Sequence, residues 1–237
     1  MPAQEPRPAA SSQTLSRGIQ MLELLARQTA PTTIASAAAQ LGVHRSIAYR
    51  ILRTLEDHDL VERDASGFLR LGAGLAALAQ NVAKELQTAA LPELNGIANE
   101  LGMTAFLVVL EKATCITLQS AEPRDGMANV ARKPGSRHQL DVGAPGIAIQ
   151  SALDDADREL LLPGVPLRSE VLVARARGYA TSRNEVIEGL AGVSVPLRIP
   201  GQRPGALAVV YISSAFPEDA IATRLREGAA AISAQLG

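Results

Sequence analysis

The 237-residue sequence has one cysteine, Cys115, no tryptophan, and only three tyrosines and three phenylalanines. A single cysteine excludes an intramolecular disulfide and any metal site built from several thiolates, and it fits a reducing compartment. Long apolar runs are missing too. Stretches such as "ALAVVYI" fall far short of the roughly 20 residues that span a bilayer, so no transmembrane helix and no membrane partner is expected. The opening "MPAQEPRPAASSQT" puts proline and polar residues where a secretory leader needs a continuous apolar segment. Residues 1–12 are therefore expected to be a disordered tail on a cytoplasmic protein. Histidine is scarce, three in all, and "GxSxG", "GxxxxGK(S/T)" and "HExxH" do not occur. The expectation is a non-enzyme without cofactor or metal. His138, with Asp141 three residues on, makes no catalytic pair without a positioned nucleophile.

A strong excess of either charge is also absent. With 23 Lys/Arg against 24 Asp/Glu the net charge is −1, and residues 1–73 hold eight basic and seven acidic residues. The chain as a whole exerts no long-range pull on nucleic acid. Its charges are segregated, however. Around "GVHRSIAYRILRTLE" the acids Glu56, Asp57, Asp59, Glu62 and Asp64 come after a stretch that holds His44, Arg45, Arg50 and Arg53 and no acid.

Helical periodicity is clear at the N-terminus. In "TLSRGIQMLELLAR" the residues Leu15, Ile19, Leu22 and Leu25 recur at helical spacing, widened by Met21 and Leu24, and predict a first helix. Thr32 or Thr33 can cap a second, Ile34 to Leu41, which Gly42 ends, and a third starts near His44. At about 100° per residue, with Arg45 at zero, Tyr49, Arg53, Ser46 and Arg50 fall between about 40° and 140°, whereas Ile47, Ile51, Leu55, Ala48 and Leu52 fill the opposite arc. A short helix, a glycine turn and a helix with one apolar and one Arg/Ser/Tyr half have the layout of a helix-turn-helix. "LVERDASGFLRLG" follows as two short apolar/polar segments around a turn, and predicts a β-wing flanked by Arg63 and Arg70.

Double-stranded DNA is the partner this pattern suits, because its phosphates are anionic and its major groove admits one helix. Arg45 and Ser46, with His44 just ahead, sit at the helix start and would face base edges. Tyr49, Arg50 and Arg53 would run along the groove walls. Arg17, Arg63 and Arg70 are candidates for further phosphate contacts, which position a protein without reading sequence.

Beyond Gly74, "GLAALAQNVAKELQTAA" predicts a connecting helix over 74–90 with a stripe at Leu75, Leu78, Ala79, Val82 and Leu86. A further helix is expected from Pro92 to Leu101. The remainder alternates strands ("TAFLVVLE", "CITLQSAE", Leu190–Leu197, Ala206–Ser213) with helices ("APGIAIQSAL", "DDADRELLL", one ending at Arg177, one closing the chain). The fold class is α+β, with domains at 13–73 (DNA-binding), 74–90 (linker) and 91–237.

The segments "SRGIQMLELLA", "LGVHRSIAYRILRTLEDHDLVERDASGFLRLG", "RKPGSRHQL", "ARARGYATSRNEVIEGLAGVSVPL" and "ALAVVYISS" resemble the IclR family of bacterial transcription regulators from about Leu15 to Leu236. The resemblance implies a winged helix-turn-helix, a linker helix and a GAF-like domain that binds a small effector, a small organic acid or aromatic metabolite. It also implies assembly as a homodimer or homotetramer on a pseudo-palindromic operator. Position by position, it nominates Ala144, Pro145, Ser182, Gly192, Tyr211 and Ser213 for the effector. Family members often carry an acid at the position of Ser182, a cysteine at that of Gly192 and a small residue at that of Tyr211. A regulator with no ligand, its second domain serving only assembly, is the alternative.

Strand alternation bears on the same site. Gly192 and Ser194 share one face of their strand, and Leu207, Val209, Tyr211 and Ser213 share one face of theirs. Together they are expected to line a mostly apolar cavity dotted with hydroxyls. "RKPGSRH" adds Arg132, Lys133, Arg137 and His138, either an attraction for an anionic ligand or a solvated basic loop.

Overall fold

The computed structural model describes residues 12–124, 132–212 and 214–237. Residues 1–11 of the expected tail and the candidate Ser213 lie outside them. Ser12 does not belong to a tail: its hydroxyl accepts from the Leu15 amide at 3.4 Å and caps the first helix.

The chain forms two compact units that meet between Val82 and Ala83. In the first, α1 (Gln13–Arg27), α2 (Ile34–Gln40) and α3 (Arg45–Asp57) precede a hairpin of β1 (Val61–Arg63) and β2 (Leu69–Leu71), and α4 (Gly74–Ala79) follows. Thr33 caps α2 by accepting from the Ser36 amide. Gly42 takes φ +62° in the turn to α3, and Gly67 takes φ +80° at the hairpin tip, both accessible to glycine at low cost. The Asp64 carboxylate accepts from the Ser66 and Phe68 amides and closes that turn. The Leu69 amide donates to the Thr32 carbonyl at 2.8 Å and ties the wing to the segment before α2.

The core of this unit gathers Met21, Leu25, Ile34, Ala48, Ile51, Leu52, Leu55, Val61 and Leu69. The α3 half matches the arc expected from periodicity. The α1 half does not: Gly18, Met21 and Leu25 are buried, whereas Leu15 is 64% and Ile19 49% exposed. A short helix with apolar residues on two adjoining arcs leaves the choice of arc to tertiary packing.

The second unit starts with α5 (Lys84–Leu101), so the single helix expected over 74–90 is two helices. Ala83 between them is left-handed, φ +47°. The stripe divides accordingly: Leu86 is 3% exposed in the second core, while Leu78 is 69% exposed on α4. Pro92 lies inside α5, where a boundary was expected. Buried Ala89, Ala90, Leu94 and Ile97 on either side anchor the helix across the hydrogen bond that proline removes.

Six strands then form one sheet, β3 (Thr104–Glu111), β4 (Thr114–Ala121), β5 (Arg137–Gln139), β6 (Ala180–Arg183), β7 (Ala191–Leu197) and β8 (Gly205–Tyr211), in the order β5-β4-β3-β8-β7-β6 with antiparallel neighbours. α5 and α9 (Glu218–Leu236) cover one face, where Leu94, Ile97, Ile221 and Leu225 meet Leu107 and Leu207. α6 (Gly143–Ala152) and α8 (Ser169–Arg177), with α7 (Asp155–Leu161) between them in sequence, lie with the other face, where Ile147 and Val171 meet Phe106, Val108 and Ala208. Sandwiching explains why the central strands β3 and β8 read as unbroken apolar runs. A mixed α+β architecture follows, as expected.

Candidate functional sites

The exposed half of α3 is cationic and largely unneutralised. Its first turn carries Arg45 and no acid, an arrangement that opposes the helix dipole and favours an anion from outside. His44 caps the helix: its ring Nδ1 accepts from the Ser46 amide at 3.3 Å and lies 2.8 Å from the Ser46 hydroxyl. His44 and Ser46, both expected to face bases, thus contact each other at the exposed helix start. The Arg45 guanidinium donates to the Tyr49 hydroxyl at 3.5 Å, and Arg45 and Arg63 lie 5.6 and 5.5 Å from the Tyr49 ring centre. The hydrogen bond from Arg45 and its charge, with Arg63 beyond, hold the phenol below its ordinary pKa. Arg17 from α1 and Arg50 and Arg53 from α3 line one groove, with Asp57 at the end of α3 also in its lining.

The two wing arginines stand on the strands flanking the turn, as expected, and each is ion-paired. Arg63 donates to Glu56 at 2.6 Å and Arg70 pairs with Asp64 at 3.2 Å. The only other ion pair among the described residues of this unit is Arg27–Glu23. Among the described residues Arg17, Arg45, Arg50 and Arg53 therefore have no carboxylate ion-pair partner, whereas Arg63 and Arg70 present half-neutralised pairs. The turn from α3 into β1 brings Glu56 to Arg63, and the hairpin brings Asp64 to Arg70.

In the second unit a cavity of about 50 Å³ opens between α6, the β6–β7 loop and the sheet, lined among others by Phe106, Arg132, His138, Val186, Ile187 and Val210. Ala144, Pro145, Ser182 and Gly192, four of the nominated residues, line it as well. Ser194 does not reach it; its hydroxyl is fully buried and donates to the Leu207 carbonyl at 3.1 Å. Tyr211 is a correction. Register pairs Gly192 with Val210 and Ser194 with Ala208, so these four positions share the α6 face. Tyr211 points to the α5/α9 core, away from the cavity. Burial pushes its phenol pKa up, with no ligand-facing role.

The polar groups of the cavity fall into two sets. At the start of α6 the Gly143 amide donates to the Glu185 carboxylate at 2.8 Å and the Ala144 amide to the Ser182 hydroxyl at 2.8 Å, while Pro145 has no amide proton. Arg168 clamps Glu185 through both carboxylate oxygens, at 2.9 and 3.0 Å, and holds its pKa below the usual carboxylate range. In the second set, Arg132 donates through Nε to Thr117 at 3.3 Å and through a terminal nitrogen to His138 Nδ1 at 2.8 Å, with its guanidinium 5.2 Å from the Phe106 ring centre. His138 is 8% exposed and its Nε2 is buried without a hydrogen-bond partner. Lys133 and Arg137, from the same sequence run, are exposed.

Burial first, and the Arg132 charge second, push the His138 pKa down to about 4 from 6.5. Between those two values the unfolded chain binds a proton that the folded chain refuses, so stability falls as pH drops from 6.5 to 4 and this loss ends below 4. The contribution is on the order of 3 kcal/mol. Urea titrations of the native chain and His138→Gln should differ in their pH dependence across this window and run parallel above pH 7.

A helix-turn-helix with a wing and an unneutralised cationic helix face, carried on a chain with a separate cavity-bearing α+β unit, defines a DNA-binding regulator. Two family models match: the IclR helix-turn-helix domain over residues 14–65 and the bacterial transcriptional regulator IclR C-terminal domain over residues 80–234. The chain belongs to the IclR family of bacterial transcription regulators. It is 31% identical to the glycerol operon regulatory protein of Streptomyces griseus, over 97% of this chain and 98% of that one. Among solved structures it is similar to an IclR transcriptional regulator from Alicyclobacillus acidocaldarius, with 28% identity, TM-score 0.81, and 96% and 100% of the two chains covered. It shares the fold of an IclR homologue from Microbacterium hydrocarbonoxydans complexed with 4-hydroxybenzoate, at 24% identity and TM-score 0.80, over 94% and 99% of the chains. These relatives are regulators, and the chain is a regulator and not an enzyme. Among the described residues no helix is long and apolar enough to cross a membrane.

Proposed function

We propose that this regulator seats α3 in the major groove of a pseudo-palindromic operator, as a homodimer or homotetramer, and that a small effector in the cavity of the second unit sets its affinity for that operator. Arg45 and Ser46 would meet base edges. Arg17, Arg50 and Arg53 would contact phosphates, with Arg63 and Arg70 secondary because each is already paired. The observation that carries the DNA reading is the set of four arginines, on and beside one exposed helix face, that have no carboxylate ion-pair partner among the described residues. The effector reading is supported by the cavity, and by the Microbacterium homologue of the same fold, which is a complex with a small carboxylate, 4-hydroxybenzoate, whose ring is larger than this cavity holds.

Operator fragments selected by the purified protein, titrated with and without a panel of small organic acids and aromatics, test both parts. An effector must bind the two DNA-affinity states differently, so it must shift the operator curve. A panel that binds nowhere and shifts nothing favours a ligand-free regulator whose second unit serves assembly.

Glu56→Gln tests the secondary place given to Arg63. It removes an acid from the DNA-facing side and frees the guanidinium. Stability should change by about 0–1 kcal/mol, as for an exposed pair. Binding to nonspecific duplex at low salt should tighten, and equal or weaker binding would place Arg63 away from the DNA.

A further inference from the structure

The cavity offers an anion two sets of donors, and only one is free. Both amides at the start of α6 are taken by side chains of the protein itself, Glu185 and Ser182. The position at which a ligand carboxylate could meet that helix already holds a carboxylate, and Arg168 keeps it there.

In the second set, among the described residues, the donors have no acceptor. Arginine can only donate, so the 2.8 Å contact makes His138 Nδ1 the acceptor and places the proton of the neutral ring on Nε2. That N–H is buried and, among the described residues, unpaired, on a residue that lines the cavity. A buried donor left unpaired is unfavourable, and native proteins satisfy nearly all of them. Arg132 keeps further N–H groups beyond those given to Thr117 and His138, and no carboxylate among the described residues pairs with it. A guanidinium and an imidazole N–H side by side, both donors, call for one acceptor with negative charge. The remaining wall, Val186, Ile187, Leu190 and Val210, is apolar. The volume of about 50 Å³ is smaller than the roughly 150 Å³ that holds a benzene ring, which fits a short aliphatic body.

We propose that Arg132 and His138 are the anion anchor of this cavity and select a short-chain monocarboxylate, whose apolar end lies against Val186, Ile187, Leu190 and Val210. The proposal rests on the reading of the cavity as the effector site and assigns its specificity. The groups facing His138 are Arg132, Cys115 across the strand pair, and Glu185, whose carboxylate is held by the amide of Gly143 beside the His138 ring. Burial raises the Cys115 thiol pKa to about 12 and keeps it neutral, so the ring meets one cation nearby and one carboxylate already paired.

The test uses the full chain labelled with ¹⁵N-histidine, which gives only three ring systems, His44, His58 and His138. Propionate and butyrate are titrated beside propionamide and butyramide, which match them in shape without the charge. The carboxylates should move the His138 Nε2 resonance, and the amides should bind at least 10-fold more weakly. Arg132→Gln should weaken carboxylate binding about 10- to 100-fold, as loss of a charge-assisted pair does, and Arg132→Lys should restore only part, since it keeps the charge without the fork. Val210→Phe should block every ligand that uses the cavity. Acids and amides binding alike, both blocked by Val210→Phe, would overturn the anchor while leaving the effector site in place. Acids that bind Val210→Phe as well as the native chain would overturn the site itself. Failure of all four probes to bind the native chain would overturn the anchor, and the operator titration would then decide the cavity's role separately. The comparison of acid with amide on the native chain needs no variant to fold.

Discussion

Leu52→Ala is expected to destabilise the first unit by about 2–5 kcal/mol, through lost transfer energy and the cavity left behind. Leu52 is fully buried on α3 and belongs to a small core that α1, α2, α3 and the wing share. Domain stabilities run at about 5–15 kcal/mol, so a loss of this size is a large fraction of the total. The consequence for function is specific. DNA binding should fail on warming, well before the second unit melts, because α3 loses the packing that holds it at a fixed angle. Leu15→Ala is the matched control: the residue is 64% exposed, and its replacement should change stability by no more than about 0.5 kcal/mol. Thermal melts followed by circular dichroism, with DNA binding measured at each temperature, check both.

Arg45→Ala is expected to relax base preference at one position of each half-site by about 1–3 kcal/mol, the value of a bidentate contact to a base edge. It lies in the first turn of α3, the part of a recognition helix that meets base edges, and its guanidinium is steadied by the Tyr49 hydroxyl and ring. Arg50→Ala should behave differently. It lies in the second turn, along the groove shared with Arg17 and Arg53, and its loss should weaken all duplexes about equally. Fragment selection repeated with each variant separates them: a changed consensus for Arg45→Ala, and an unchanged consensus at lower affinity for Arg50→Ala.

What the sequence disclosed followed from periods that tertiary structure leaves intact. The two arcs of α3 rest on 3.6 residues per turn, and Ala48, Ile51, Leu52 and Leu55 are buried as that arc requires. Alternation within β7 and β8 was equally legible; their relative register was not. Setting Tyr211 beside Gly192 needs the pairing, and the actual partner of Gly192 is Val210. Sliding one strand past another by one residue exchanges every face, so a correct reading of each strand still put Tyr211 on the wrong side. The edge strands β5 and β6 are too short, at three and four residues, to show alternation, and β5 hid within the basic run "RKPGSRH". That run therefore left open whether its charges are solvated. Pairing β5 with β4 divides it, taking His138 inward beside Arg132 and leaving Lys133 and Arg137 outside. The ion pairs of Arg63 and Arg70 were hidden for a like reason, since the chain must turn between α3 and β1 before Glu56 meets Arg63, and at the hairpin before Asp64 meets Arg70.

The direct test of the whole account is the salt dependence of binding to plain duplex DNA, measured by fluorescence anisotropy from 50 to 300 mM salt for the native chain and for Arg17→Ala/Arg50→Ala/Arg53→Ala. Each phosphate contact contributes about 0.9 to the slope of log affinity against log salt. The triple variant should therefore lose roughly 3 units of slope while its helical content stays native. An unchanged slope in a folded triple variant would mean that this face never meets the phosphates.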